Sequence, residues 1–164
     1  MKLHLTLVAL IATTAPAFAA GDAAKGEATF KQCQACHVVA DGEGNVLAGK
    51  AGKAGPNLHG LFGRVAGTYP DFKYGEDLIA AGAAGLVWDE ANFVEYVQDP
   101  SAFLKATLND KGAKGKMQFK VKNAEIAADL YAYLATFSPA PAATDAAAPA
   151  ADPAVAPAVP APAP

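Results

Sequence analysis

Both cysteines of this 164-residue chain fall in one five-residue stretch, Cys33-Gln34-Ala35-Cys36-His37. No other feature constrains the fold as tightly. Residues three apart share one side of a helical turn, so the two thiols face one way. The histidine that follows sets an imidazole beside them. C-x-x-C-H is the pattern of covalent c-type haem attachment. The thiols reach the two vinyl groups of one porphyrin, and the His37 ring reaches its iron from that side. The chain must then wrap a large flat hydrophobe bonded to its own backbone, and that group becomes part of the core.

Other uses of the pair fit less well. A thioredoxin-like site calls for a βαβ pattern, and none surrounds it. An exported C-x-x-C pair can form a disulfide, but this leaves His37 without a role. A structural zinc needs four ligands. Beyond the leader described next, only Cys33, Cys36, His37 and His59 could supply them, and adjacent Cys36 and His37 fit a tetrahedron poorly.

The start of the chain agrees with export. Met1-Lys2-Leu3-His4 is weakly basic, residues 5–12 are apolar, and Ala17-Phe18-Ala19 offers small residues at a cleavage point. Residues 1–19 therefore read as a secretory signal peptide, too short for a spanning helix. Haem is attached to c-type proteins on the exported side of the membrane. The expected location is the periplasm of a bacterium.

Composition divides the remainder. Residues 138–164 contain 13 Ala and 8 Pro. Such a tail cannot bury apolar surface, and its prolines interrupt helix. It reads as an extended, disordered appendage. Residues 20–137 make one domain of ordinary size, and its expected class is mostly α. Asp22 is placed to cap a first helix running to about Cys33. Asp89 is placed to cap a second, with Phe93, Val94 and Val97 inward and Pro100 as its stop. Residues 101–106 suggest a short extra helix. Asn123 is placed to cap the last, where Ile126, Leu130, Tyr133, Leu134 and Phe137 recur on one face. Between Asp41 and Gly85 lie 11 of the 15 glycines and little periodicity. These residues read as Ω-type loops packed around the haem.

Iron held by His37 has a sixth position. Outside the leader the chain has one methionine, Met117, in the polar stretch Lys114-Gly115-Lys116-Met117-Gln118-Phe119. A lone methionine there has little reason to be apolar unless its sulfur is used. Met/His ligation raises the haem potential and suits electron transfer. His59 is the competitor, and a structural ring donating to a backbone carbonyl is its favoured reading. A peroxidase-like protein or a gas sensor would need that position open or easily vacated.

In these residues the chain resembles the class I cytochromes c, especially the alphaproteobacterial cytochrome c2 and c-550 group. The resemblance runs from Gly21 to Phe137. It is carried by Gly21-Asp22-Ala23-Ala24-Lys25-Gly26, by Gly55-Pro56-Asn57-Leu58-His59-Gly60-Leu61-Phe62-Gly63-Arg64 and by Phe72-Lys73-Tyr74-Gly75. Trp88, Glu95-Tyr96-Val97-Gln98-Asp99-Pro100 and Lys116-Met117 follow in the family's order. It implies three to five helices and Ω-type loops around one covalently bound haem c. By the same resemblance, the Pro56 carbonyl accepts the His37 Nδ1 proton. Arg64, Tyr74 and Trp88 donate to a haem propionate, Tyr96 donates to the Met117 sulfur, and Phe119 covers the haem edge. Gly26 and Phe30 pack on Leu130 and Tyr133. The family commonly has Thr two residues before the ligand. Gly115 stands there instead, which implies a looser loop and a more exchangeable methionine.

The chain is acidic, with a formal charge of −3. Between Lys105 and Lys122, however, six lysines face one acid, Asp110. Lys31, Lys105, Lys114, Lys116 and Lys120 are the expected docking residues around the haem edge. A local basic face steers a carrier onto acidic partners at a rate that falls with salt. The net charge argues against nucleic acid as the partner. The resemblance implies an electron carrier and not an enzyme. It would be monomeric and would meet membranes only transiently. It would run between a ubiquinol–cytochrome c reductase and a photosynthetic reaction centre, cytochrome oxidase or other terminal reductase.

Overall fold

Four of the five helices begin at the side chains whose chemistry marks a helix start. The computed structural model describes residues 21–50 and 52–138. The leader reading and all but the first residue of the tail reading lie outside them. Asp22 caps α1 (Ala23–Phe30) by accepting from the Ala24 and Lys25 N–H groups. Asp89 and Asn92 form a reciprocal capping box at the start of α3 (Glu90–Gln98). Asp99 accepts from Ala102 N–H at the start of α4 (Pro100–Thr107). There Pro100 occupies the first turn, where its missing N–H costs nothing. Asn123 caps α5 (Ala124–Ala135) through the Ile126 N–H.

The structure departs from expectation in three places. α1 stops at Phe30 instead of near Cys33, and a single 3₁₀ turn, Cys33–Ala35, follows. The Cys33 carbonyl accepts from both Cys36 and His37 N–H, which winds the attachment motif into its own tight turn. A helix, α2 (Glu76–Ala83), lies inside the stretch read as loops. Its N-cap is Gly75, with no side-chain cap, so the usual start signal is missing. Its interior Gly82 also reads as a breaker. A Cβ at Gly82 would lie 2.0 Å from the Ala66 carbonyl oxygen, so glycine allows α2 to settle on that loop. Finally, β1 (Val38–Ala40) and β2 (Val46–Gly49) pair antiparallel, with a bulge between Val39 and Ala40.

The core is built where α1 crosses α5 and α3 packs beside them. Gly26 lies so close to α5 that a Cβ would stand 1.9 Å from the Asp129 carbonyl oxygen. Phe30 is fully buried, its ring 5.5 Å from that of Tyr133. Asp129 is the one buried charged residue in the described core, and its carboxylate accepts the Asp22 N–H at 2.7 Å. The far end of α5 is tied to the glycine-rich loops. Phe137 O accepts from Gly60 N–H, and Ser138 Oγ accepts from Phe62 N–H. Ser138, assigned to the tail by composition, thus contacts the folded domain.

Candidate haem site

The 3₁₀ turn sets Cys33, Cys36 and His37 on the wall of one cavity of about 400 Å³. That wall is mainly apolar, with Leu58, Leu61, Leu78, Phe93, Leu130 and Leu134 among its residues. No disulfide joins the two cysteines, so both sulfurs are available for attachment. Before attachment, burial and then the neighbouring Cys36 push the Cys33 thiol up to about 11.

The His37 ring is fixed from behind. Its Nδ1 lies 2.9 Å from the Pro56 carbonyl oxygen. A carbonyl only accepts, so Nδ1 carries the proton and Nε2 keeps its lone pair for a metal. Burial holds the ring's pKa below its ordinary value, against the opposing pull of the Pro56 bond, so the imidazole stays neutral. Gly55 forms the floor of this cradle: a Cβ there would lie 2.3 Å from His37 Cε1. Gly55 N–H also donates to the Cys36 carbonyl at 2.8 Å, which ties the cradle to the attachment turn. Two thiols and a neutral imidazole on one apolar wall fit a covalently attached haem.

Met117 lies on the wall of the same cavity, half-buried against the core. His59 does not line it. The hydrogen bonds that His59 makes among the described residues use its backbone: the N–H donates to Asn57 Oδ1 and the carbonyl accepts from Arg64. The ring bond expected for His59 is absent from them. Asn57 is an anchor that sequence reading missed. Its side chain bonds the Ala40 N–H and carbonyl, the Tyr69 hydroxyl and the His59 N–H, so it joins the hairpin to the loop below the site. One asparagine among glycines gives no signal of such a role.

Tyr74, Trp88, Tyr96 and Phe119 all reach the cavity, but Arg64 does not. Arg64 donates to the carbonyls of Asn57, His59 and Gly60, and its guanidinium sits 4.9 Å above the Tyr69 ring. It braces the loop one layer back, beside Tyr74, whose hydroxyl burial keeps protonated against the opposing pull of the Arg64 charge. Burial pushes the Tyr96 hydroxyl up to about 12, so it stays protonated, and its ring packs edge-on against Trp88 at 4.9 Å. Tyr96 and Met117 share the cavity, yet no hydrogen bond joins them in this structure. Phe119 stands at the mouth, 40% exposed.

The five lysines expected to dock are all exposed, but they are not five equal charges. Lys120 Nζ pairs with Asp99 Oδ2 at 2.6 Å, so its charge is largely offset. Lys116 also lines the cavity and donates to the Lys73 carbonyl at 2.8 Å. Gly115 differs from expectation as well. It is buried, a Cβ would lie 2.7 Å from Pro100 Cβ, and its N–H is bonded to Ser101 Oγ. The loop that carries Met117 is pinned, not loosened, at this glycine.

Five helices and glycine-rich loops closed around a cavity walled by a C-x-x-C-H turn are the architecture of a class I c-type cytochrome. No family model matches the chain. Cytochrome c2 of Fuscovulum blasticum is 54% identical over 125 residues, covering 76% of this chain and 79% of the relative. Cytochrome c-550 of Paracoccus denitrificans is 42% identical over 141 residues, covering 85% and 89%. The solved structure of cytochrome c2 from Rhodobacter sphaeroides superimposes with a TM-score of 0.70 at 52% identity, covering 72% of this chain and 97% of that one. The chain belongs to the cytochrome c2 and c-550 family. It is an electron-transfer cytochrome with one covalently bound haem c, and not an enzyme.

Proposed function

We propose that this cytochrome is a soluble periplasmic shuttle that takes single electrons from a ubiquinol–cytochrome c reductase. It delivers them to a photosynthetic reaction centre, a cytochrome oxidase or another terminal reductase. One observation carries the reading: Cys33, Cys36, His37 and Met117 all wall the same cavity. The bound haem supplies a one-electron Fe(II)/Fe(III) couple. Cys33 and Cys36 hold it by thioethers. His37 is one axial ligand, oriented by Pro56, and Met117 is the other. Tyr74 and Trp88 donate to a buried propionate, which needs donors, and Arg64 supports Tyr74 from behind. Tyr96, kept protonated by burial, is the hydroxyl beside the sulfur. Phe119 covers the exposed edge.

Docking uses Lys31, Lys105, Lys114 and Lys116, with Lys120 contributing least because of Asp99. The partner surfaces are acidic, and the interfaces are small and short-lived. Stopped-flow oxidation and reduction with candidate complexes across a salt series tests this. The rates should fall steeply as ionic strength rises. Salt-independent rates would exclude the docking face. Loss of the weak absorption band that marks sulfur-to-iron ligation is expected in Met117→Leu, and its survival would exclude that assignment. Ready binding of carbon monoxide to the reduced protein at neutral pH would favour a sensor instead.

A further inference from the structure

Met117 sits between α4 and α5 in a stretch with no helical or strand ladder of its own. Its backbone needs other partners, and two side chains from elsewhere in the fold supply them. Asp77, in the first turn of α2, accepts the Lys114 N–H at Oδ2, 2.8 Å away. Ser101, in the first turn of α4, accepts the Gly115 N–H at Oγ, 3.0 Å away. The two amides are consecutive and lie just before the methionine. Gly115 permits the second bond. It rests against Pro100, the residue before Ser101, so closely that a Cβ would stand 2.7 Å from Pro100 Cβ. Pro100 is fully buried and cannot yield.

We propose that Asp77 and Ser101 are positioning residues for the sixth haem ligand. They form a two-point clamp, from α2 and α4, that holds the Met117 stretch closed and sets how readily its sulfur gives way. This rests on Met117 being that ligand. A competing ligand reaches the iron only while the stretch is open, so its apparent affinity scales with the open fraction. A hydrogen bond made only in the closed form lowers that fraction by its own net strength. A purely structural role would lower overall stability and leave the open fraction unchanged.

The test is imidazole binding to the oxidised holoprotein at pH 8, followed at the haem absorption band. Ser101→Ala should bind imidazole about 3–10-fold more tightly than wild type, as expected for one neutral hydrogen bond. Asp77→Ala should gain about tenfold or more, because a carboxylate is the stronger acceptor. Ser101→Thr keeps the hydroxyl and should stay near wild type. Weakening of the sulfur-to-iron absorption band in the two alanine variants is the second readout. Wild-type imidazole affinity in both alanine variants, with lowered unfolding midpoints, would overturn the clamp. Met117→Leu separates that failure from failure of the ligand assignment. If Met117→Leu binds imidazole more tightly while both alanine variants match wild type, Met117 stands and the clamp alone falls. If Met117→Leu also matches wild type, the ligand assignment falls and takes the clamp with it.

Discussion

Where α1 crosses α5, backbone lies directly against backbone. Where the Met117 stretch meets α2 and α4, single side chains reach out to hold individual amides. The first contact depends on what is absent: side chains at Gly21 and Gly26, whose Cβ atoms would stand 2.1 and 1.9 Å from α5 carbonyl oxygens. The second depends on what is present, the Asp77 carboxylate and the Ser101 hydroxyl. A close-packed seam has no intermediate setting, because interiors at this density cannot deform a little at a time. A few separable hydrogen bonds can open locally at modest cost. The difference separates two walls of the cavity: one built on the helix crossing and the Gly55–Pro56 cradle, and one, carrying Met117, held by separable hydrogen bonds.

Substitutions at the seam should cost most. Phe30→Ala removes a fully buried ring and should lower the unfolding free energy of the holoprotein by about 3–5 kcal/mol in guanidinium titration. Gly26→Ala should cost about 3 kcal/mol by forcing the helices apart. A wild-type midpoint in Gly26→Ala would show that the crossing is not so close. In the cradle, Gly55→Ala drives a methyl group into the His37 ring. It should cost about 1–3 kcal/mol and alter the haem absorption spectrum, which a seam substitution need not do.

On the Met117 wall the effects should be smaller and local. Gly115→Thr puts in place the threonine that the family resemblance implies, but it collides with Pro100. It should cost about 1–3 kcal/mol and bind imidazole more tightly than wild type. Weaker imidazole binding would mean that the threonine finds its propionate bond after all. The smallest effect belongs to Lys120. With Asp99 as its partner, Lys120→Gln should slow partner reactions at low salt less than Lys105→Gln does. Equal slowing would show that the ion pair does not mask the charge.

The parts of the fold that were legible in the sequence are those with local chemistry. Asp22, Asp89 and Asn123 mark helix starts because a cap bonds amides two or three residues ahead. α2 was missed for the converse reason. Its cap is a glycine, its interior holds another, and it is fastened by the Ala66 loop, remote from its own sequence. At the site, C-x-x-C-H was legible from spacing alone. Met117 emerged because it had no methionine competitor outside the leader. The positions of Pro56, Tyr74, Trp88, Tyr96 and Phe119 on one wall followed from resemblance, and the structure brings them together. Arg64 lies off that wall, because a guanidinium can brace carbonyls as readily as it can face a carboxylate. Gly115 was misjudged because a missing side chain looks like freedom until its neighbour is seen.

The sequence by itself determined the covalent attachment, the three helices capped by Asp22, Asp89 and Asn123, and the excess of lysine near the methionine. Each is written in residues close enough along the chain to interact whatever the rest does. Only the tertiary structure decided which atoms meet across long separations: His37 with Pro56, Asp22 with Asp129, Lys114 with Asp77 and Lys120 with Asp99. Those contacts require segments that no local pattern relates to come within hydrogen-bonding distance of one another. The attachment of haem is therefore legible in five residues, while the hold on the Met117 stretch depends on how two distant helices pack.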